Sequence, residues 1–163
     1  MRFSLAMNFL MEKAEFYQQL NAQISAIIAG ESDVIANMAN ISALLFEQLE
    51  TVNWVGFYRV VDEQLVLGPF QGKVACIRIP IGRGVCGTAA KLNKTQRIDD
   101  VHAFEGHIAC DAASNSEIVV PVVVNDKVIA VLDIDSPVHQ RFDADDQLGL
   151  EQTVKLFEKS VSA

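Results

Sequence analysis

The spacing of apolar residues predicts two helices at the start of the chain. Over residues 11–29 large apolar side chains recur every three or four positions, which is the spacing of one helical face, and Gly30 follows as a natural C-terminal stop. A second stripe with the same spacing runs over residues 34–49, and Asp33 precedes it as a candidate N-cap. The two stripes consist of Phe16, Leu20, Ile24, Ile27 and Ile28, and of Val34, Met38, Ile41, Leu45 and Leu49.

Strand-like patterns begin after the second helix. Residues 52–61 are rich in β-branched and aromatic side chains, and a polar break separates them from the apolar run 65–70 in the manner of a hairpin. A third strand is predicted over residues 74–79, because the run stops at Pro80. Residues 118–124 and 128–133 predict a second hairpin, with a turn at Asn125, Asp126 and Lys127.

Two further helices complete the pattern. Good helix formers follow the glycine-rich segment 82–87, so residues 88–92 are predicted to form a short helix. Asp143 is a candidate N-cap for a last helix. Consecutive strands joined by tight turns favour an antiparallel sheet with helices on one face, which is an α+β architecture. The stripe of the last helix is Leu150, Val154, Phe157 and Val161.

Composition favours one domain spanning residues 1–163. Half of the 163 residues are hydrophobic and the mean hydropathy is +0.22, so the chain can bury one substantial core. A net charge of −8 opposes binding to nucleic acid. The first residues lack a cleavage site, and no apolar run is long enough to cross a bilayer, so we expect a cytoplasmic protein without a membrane partner.

The segment of residues 79–123 is the most promising place for a site. It carries two of the three cysteines and two of the three histidines, Cys86, Cys110, His102 and His107, in a stretch without a long helical or strand period. Three cysteines, an odd number, do not suit a disulfide-stapled secreted domain. They are therefore free thiols, metal ligands or redox groups. Neither histidine is assigned a role, and His139 is interpreted as a turn residue.

Three carboxylates lie at the ends of apolar strands. Asp133 and Asp135 are two positions apart on an extended chain, so they project from the same face, and Glu117 begins the preceding strand. Ordinary solvation would explain any one of them. Three acids in one pocket would repel one another unless a cation or a shared proton compensates, and a primary ammonium would be such a cation. Trp54 and Tyr58 also share a strand face, and core packing is the default interpretation of each.

The segments IPIGRGVCGTAA, RIDDV, VVPVVVNDKVIAVLDIDS and the helix after RFDADD resemble a GAF domain over nearly the whole chain. Within that superfamily, the strand NWVGFYRV, the spacing of Cys76, Cys86 and Cys110, and the acidic trio resemble the free methionine-(R)-sulfoxide reductases. The resemblance implies a central antiparallel sheet with helices on one face and a loop-covered ligand pocket on the other. It also moves Trp54 and Tyr58 to the pocket wall.

The resemblance implies reduction of free methionine sulfoxide, the R epimer, to methionine. The thiolate of Cys110 would attack the sulfoxide sulfur while a protonated Glu117 or Asp135 donates to the oxygen. Cys76 is the first candidate to resolve the resulting sulfenic acid and Cys86 the second. Thioredoxin is the implied reductant and a homodimer through the N-terminal helices is an expectation from the family. Neither a cofactor nor a metal is expected.

Other interpretations use the same residues. A buried cysteine is most often a small hydrophobic residue, which suits Cys76 at its predicted strand position. A zinc site from Cys76, Cys86, Cys110 and His107 lacks the close cysteine pair typical of structural zinc. A GAF sensor that binds a small molecule without turnover, or a thiol redox switch, would need no reductase chemistry. Glycine-rich amides at residues 82–87 could hold an anion such as a carboxylate in the enzyme or the sensor.

Overall fold

The computed structural model describes residues 11–108 and 113–162. The helices are α1 (Lys13–Ile27), α2 (Val34–Gln48), α3 (Gly84–Leu92) and α4 (Ala144–Val161), with a 3₁₀ turn at Val101–Ala103. The strands are β1 (Trp54–Val61), β2 (Gln64–Gly72), β3 (Arg78–Pro80), β4 (Gln96–Ile98), β5 (Ser116–Val124) and β6 (Lys127–Ser136).

The strands form one six-stranded sheet in the order β3-β2-β1-β6-β5-β4, and every neighbouring pair is antiparallel. The two predicted hairpins are present. Asp62 and Glu63, and likewise Asn125 and Asp126, adopt the positive φ angles that tight two-residue turns require. The predicted α+β architecture is therefore confirmed.

The two predicted N-caps are confirmed as well. The carboxylate of Asp33 accepts a hydrogen bond from the backbone N–H of Ala36 at 2.8 Å. The carboxylate of Asp143 accepts from the amides of Asp145 and Asp146, and the carboxylate of Asp146 accepts from the Asp143 amide, which completes a capping box. These caps fix where α2 and α4 begin.

The larger core lies between one face of the sheet and helices α1, α2 and α4. The predicted stripes of α2 and α4 supply most of the helical side of this core. In α1 the prediction was wrong at one position, because Ile27 is 43% exposed whereas Tyr17 is 3% exposed. Tyr17, Leu20, Ile24 and Ile28 form the buried face. The phenol of Tyr17 can be buried because its hydroxyl donates a hydrogen bond to Asp146.

The smaller core lies on the opposite face of the sheet, beneath α3. Trp54 and Tyr58 from β1 pack there with residues of β5, β6 and α3, while Val55 and Phe57 turn to the larger core. This alternation follows from the two-residue repeat of a strand. The smaller core leaves part of the sheet face free for a cavity.

Several predicted boundaries were wrong. Strand β3 begins at Arg78, so Cys76 lies in the preceding loop rather than in a strand. Helix α3 begins at Gly84, four residues before its predicted start. Strand β6 continues to Ser136, which places Asp133 and Asp135 inside the sheet. Strand β4 was not predicted. Among the described helices, none is long and apolar enough to cross a membrane.

Candidate active site

A cavity opens on the sheet face that α1, α2 and α4 leave uncovered. About 550 Å³ of empty space lies among its lining atoms, a volume that includes solvent at its open mouth. The sheet forms its floor, and the loop before β3 and the start of α3 form its walls. The lining residues are Trp54, Tyr58, Val74, Ala75, Ile79, Gly84, Val85, Cys86, His107, Ile108, Glu117, Asp133 and Asp135.

Strand register brings the three predicted carboxylates together on the floor. Glu117 in β5 is paired with Asp135 in β6. Asp133 precedes Asp135 by two residues and therefore lies on the same face of the sheet. Trp54 in β1 is the partner of Asp135 on its other side. Glu117 and Asp133 are 7% and 5% exposed, whereas Asp135 is half-buried. The cluster is therefore built by three adjacent strands.

Cys86 lies in the first turn of α3 and faces this cluster. It is 5% exposed and carries a free thiol. Its sulfur and one carboxylate oxygen each of Glu117 and Asp133 all lie within 4.8 Å of one another. Packing of α3 against β5 and β6 thus adds a thiol to the acidic floor.

Cys76 follows the lining residue Ala75 along the chain, in the loop between β2 and β3. It is half-buried and disulfide-bonded. The hydroxyl of Tyr58 donates a hydrogen bond to its backbone carbonyl at 2.9 Å. Its apolar neighbours Val74 and Ile77 are 89% and 66% exposed. Cys110, the predicted nucleophile, lies outside the described residues.

The aromatic wall is made of stacked rings. The Trp54 ring stacks on Phe70 and Tyr58 with centroid distances of 5.1 and 5.9 Å. The indole N–H of Trp54 donates to the carbonyl of Lys73 at 3.1 Å. A Cβ at Gly56 would collide with Phe70 and with the Trp54 ring, so the stack requires glycine there. Trp54 and Tyr58 are buried core residues that also line the cavity.

The start of α3 contributes backbone rather than side chains. Gly84, Val85 and Cys86 line the cavity, and the N-cap residue Arg83 makes no side-chain capping bond. Gly84 has a φ of +63°, which glycine adopts without strain. The first amides of α3 can therefore receive an anionic group from the cavity.

Comparison with known proteins relates this geometry to a family. The model of the GAF domain matches residues 36–157. A protein of Escherichia coli K12 named free methionine-R-sulfoxide reductase is 60% identical over 149 residues, covering 91% of this chain and 90% of its own length. The chain belongs to the free methionine-(R)-sulfoxide reductases. The predicted family is confirmed.

Two solved reductase structures share the fold closely. The reduced form of fRMsr of Staphylococcus aureus is 53% identical with a TM-score of 0.88, and the match covers 90% of this chain and 95% of that one. The free methionine-R-sulfoxide reductase of Neisseria meningitidis, in complex with its substrate, is 45% identical with a TM-score of 0.89, covering 93% and 91%.

Burial dominates the electrostatics of this reductase cavity. It raises the pKa of Glu117 well above its usual 4.5, and the neighbouring charges of Asp133 and Asp135 raise it further. Burial also raises the pKa of Asp133, although hydrogen bonds with Glu117 and Cys86 oppose part of that rise. Oδ1 of Asp133 is buried without a hydrogen-bond partner among the described residues. Burial therefore favours the protonated form of Glu117 and Asp133.

The same forces act on the cavity's thiol. Burial raises the pKa of Cys86 well above its usual 9.0, and the charges of Asp133 and Glu117 add to the rise. Cys86 is consequently a protonated thiol rather than a thiolate. A nucleophilic cysteine needs the opposite environment.

Sequence reasoning missed several lining residues of the reductase cavity. His107 lines the cavity although no role was assigned to it from the sequence. Its pKa is lowered, mainly by burial and to a smaller extent by the charge of His102. Its position in the irregular segment was the one available signal. Val74 and Ala75 line the cavity because β3 starts later than predicted. The zinc interpretation that used Cys76 is excluded in this state because that cysteine is disulfide-bonded.

Proposed function

We propose that the protein reduces free L-methionine (R)-S-oxide to methionine by cysteine chemistry. The observation that carries the proposal is a cavity that contains a buried carboxyl of raised pKa, Glu117, and whose lining loop also carries a disulfide-bonded cysteine, Cys76. A sulfoxide reduction needs both a proton donor and a pair of thiols. The identity to proteins named for this activity supports the same assignment.

The proposed first step forms methionine and a sulfenic acid. The thiolate of Cys110 attacks the sulfoxide sulfur, and Glu117 or Asp135 donates a proton to the sulfoxide oxygen. The sulfur–oxygen bond breaks, the sulfide leaves as methionine, and the oxygen ends on Cys110 as a sulfenic acid. Glu117 is the better supported donor, because burial raises its pKa and so favours the protonated form.

The second step is the condensation of the sulfenic acid with a thiol, which releases water and forms a disulfide. Cys76 is proposed as the resolving residue. Its disulfide state supports this role, whereas Cys86 is buried, free and hydrogen-bonded to Asp133. Cys86 stays the second candidate.

Recognition of the free amino acid follows from the groups around the cavity. The carboxylates of Asp133 and Asp135 can bind the α-ammonium, and the first amides of α3 can bind the α-carboxylate. The rings of Trp54 and Tyr58 can cover the methyl group of the sulfoxide. Peptide-bound methionine sulfoxide lacks both charged termini.

Thioredoxin is the proposed reductant of the disulfide. The loop around Cys76 is accessible at Val74 and Ile77, so a dithiol protein can approach the sulfur from solvent. We further propose a cytoplasmic protein of one domain over residues 1–163 that forms a homodimer through its N-terminal helices.

The rival functions are a GAF sensor and a thiol redox switch. Dithiothreitol and racemic methionine sulfoxide, followed by quantitation of methionine, distinguish them because multiple turnovers are expected of the enzyme alone. Cys110→Ser should abolish turnover. Cys76→Ser should release about one methionine per chain and then lose thioredoxin-supported cycling. Full thioredoxin-driven activity of Cys76→Ser would transfer the resolving role to Cys86.

The substrate class has its own experiment. N-acetyl-methionine sulfoxide lacks the ammonium, so a buried carboxylate would be left unpaired at a cost of roughly 1–3 kcal/mol or more. Its kcat/KM should fall at least about tenfold below that of the free amino acid. Equal values for the two substrates would contradict the proposed role of Asp133 and Asp135.

A further inference from the structure

Cys86, Glu117 and Asp133 form a donor set that the reductase chemistry does not require as a unit. Their ligand atoms lie within 4.8 Å of one another, and all three residues are more than nine-tenths buried. Ligand atoms around a tetrahedral zinc ion lie about 3.3–3.8 Å apart, given bond lengths of about 2.0–2.3 Å. A shift of about 1 Å or less would therefore bring the three atoms into coordination distance.

A second observation points to a missing partner in the same place. Oδ1 of Asp133 is buried and accepts no hydrogen bond from any residue in the described part of the chain. A buried carboxylate oxygen without a partner is costly, and a cation would satisfy it. Among the described lining residues there is no lysine or arginine, and His107 is the single basic group.

We propose that Cys86, Glu117 and Asp133 bind a thiophilic divalent cation, Zn²⁺ in preference to Mg²⁺, and that the bound ion blocks the reductase. One sulfur and two carboxylate oxygens suit zinc, whereas magnesium prefers oxygen ligands alone and keeps its water. The thiol and any protonated carboxyl lose their protons to solvent on binding. All three ligand residues line the cavity, so the bound ion would lie in its wall.

Inhibition follows from overlap with the substrate site, and this part of the proposal rests on the proposed function. The ion would take the carboxylate of Asp133, one of the two proposed to receive the substrate's ammonium, and it would displace the proton that Glu117 donates. Zinc and free methionine sulfoxide should therefore compete. Binding of the metal itself does not depend on the reductase activity.

The direct test is titration of the full-length protein with Co²⁺ after reduction by a phosphine, which avoids added thiols. A thiolate-to-cobalt charge-transfer band should saturate at one equivalent, and Zn²⁺ should remove it. Cys86→Ser should lose the band, whereas the matched variants Cys76→Ser and Cys110→Ser should keep it. A band that persists in Cys86→Ser, or disappears in Cys76→Ser or Cys110→Ser, would overturn the site.

Asp133→Asn provides a second test of the ligand set in case Cys86→Ser fails to fold. It keeps the thiol but should weaken cobalt affinity at least tenfold, and circular dichroism reports whether each variant is folded. Unchanged affinity in a folded Asp133→Asn would overturn the proposed ligand set.

The second test is single-turnover reduction of methionine sulfoxide by prereduced protein. Added Zn²⁺ should inhibit competitively and a chelator should restore activity, whereas Mg²⁺ should have no effect. Inhibition that excess substrate does not relieve would overturn the overlap. A protein that binds cobalt through Cys86 yet never reduces the sulfoxide would refute the proposed function and leave the metal site standing.

Discussion

Asp146 and Asp133 are buried carboxylates on opposite sides of the sheet, 1% and 5% exposed, with very different partners. Asp146, at the start of α4, accepts hydrogen bonds from Lys13 Nζ at 2.7 Å and from the Tyr17 hydroxyl at 2.6 Å. Arg141 lies 3.4 Å away and the capping bond to the Asp143 amide completes the set. Asp133 instead faces Glu117 and Cys86, and its Oδ1 has no hydrogen-bond partner in the described residues.

The difference shows how one residue type serves two purposes. Around Asp146, cations and amide N–H groups compensate the negative charge of the carboxylate. The pKa of the neighbouring Asp143 shows the effect of such partners. Burial alone would raise the pKa of Asp143, but its hydrogen bonds with Lys13 and the Asp146 amide lower it to about 2. Around Asp133 the described part of the chain supplies no such cation, and burial raises the pKa of this carboxyl. The first cluster ties α1 to α4, whereas burial in the second favours protonated carboxyls, as its proposed chemistry requires.

Asp146→Ala should have the largest effect on stability. It leaves Lys13, Tyr17 and Arg141 without their common acceptor, and breaking a buried ion pair costs about 3–5 kcal/mol. Urea unfolding measures the loss, and the exposed first-turn variant Asp145→Ala is the control. The catalytic efficiency of the folded fraction should be unchanged. A loss of activity without a loss of stability would contradict the contrast, because it would mean that the Asp146 cluster serves the reaction rather than the fold.

Glu117→Gln should have the next largest effect, and on activity. The amide cannot donate the proton that a carboxyl supplies, and general acid catalysis is worth about 10²-fold or more. The rate of methionine release at pH 7 measures this, with Glu151→Gln on α4 as the control. If Glu117→Gln keeps the wild-type rate, the proton donor is Asp135 instead.

The same Glu117→Gln variant should be more stable than the wild type at neutral pH. A carboxyl whose pKa is raised by folding binds more protons when folded, so its contribution to stability falls as the pH rises above about 4.5. Glutamine does not titrate, so the variant does not lose stability in this way as the pH rises toward 7. Urea unfolding across pH should show the gain shrinking toward pH 4. A gain in stability that is the same at every pH would mean that it comes from packing of the glutamine rather than from loss of the titrating carboxyl.

Lys13→Met should have the smallest effect, about 1 kcal/mol or less, because the Lys13 side chain is 39% exposed and solvent screens its ion pairs. Tyr17 and Arg141 still satisfy Asp146 in this variant. The melting temperature should fall slightly and the reductase rate should not change. A loss as large as that of Asp146→Ala would mean that Lys13 alone neutralises the acid.

The parts of the fold that could be predicted from sequence are those with local causes. Apolar spacing located α2, and turn residues with positive φ such as Asn125 and Asp126 located the hairpin between β5 and β6. The three-residue strands β3 and β4 depend on pairing with distant strands, so no local pattern marks their bounds. Cys76 was misplaced for that reason.

The site was predicted in part. The alternation of β6 predicted that Asp133 and Asp135 share a face. The resemblance, together with the spacing of Trp54 and Tyr58, added the aromatic wall. The contact of Cys86 with Asp133 arises from packing of α3 over the sheet, and the lining role of His107 arises from the path of an irregular segment. Neither of these two features can be predicted from the spacing of residues along the sequence.

The two hydrogen bonds that the aromatic wall makes to the Cys76 loop connect substrate affinity with reduction potential. Trp54 donates to the carbonyl of Lys73 and Tyr58 to that of Cys76, so the rings and the loop share one geometry. Any movement of the loop on reduction of the disulfide would therefore move both rings. Thermodynamic reciprocity then requires that a ligand held by those rings shift the midpoint potential of the disulfide by the matching amount. Product remaining in the cavity would bias the redox couple that ends the cycle.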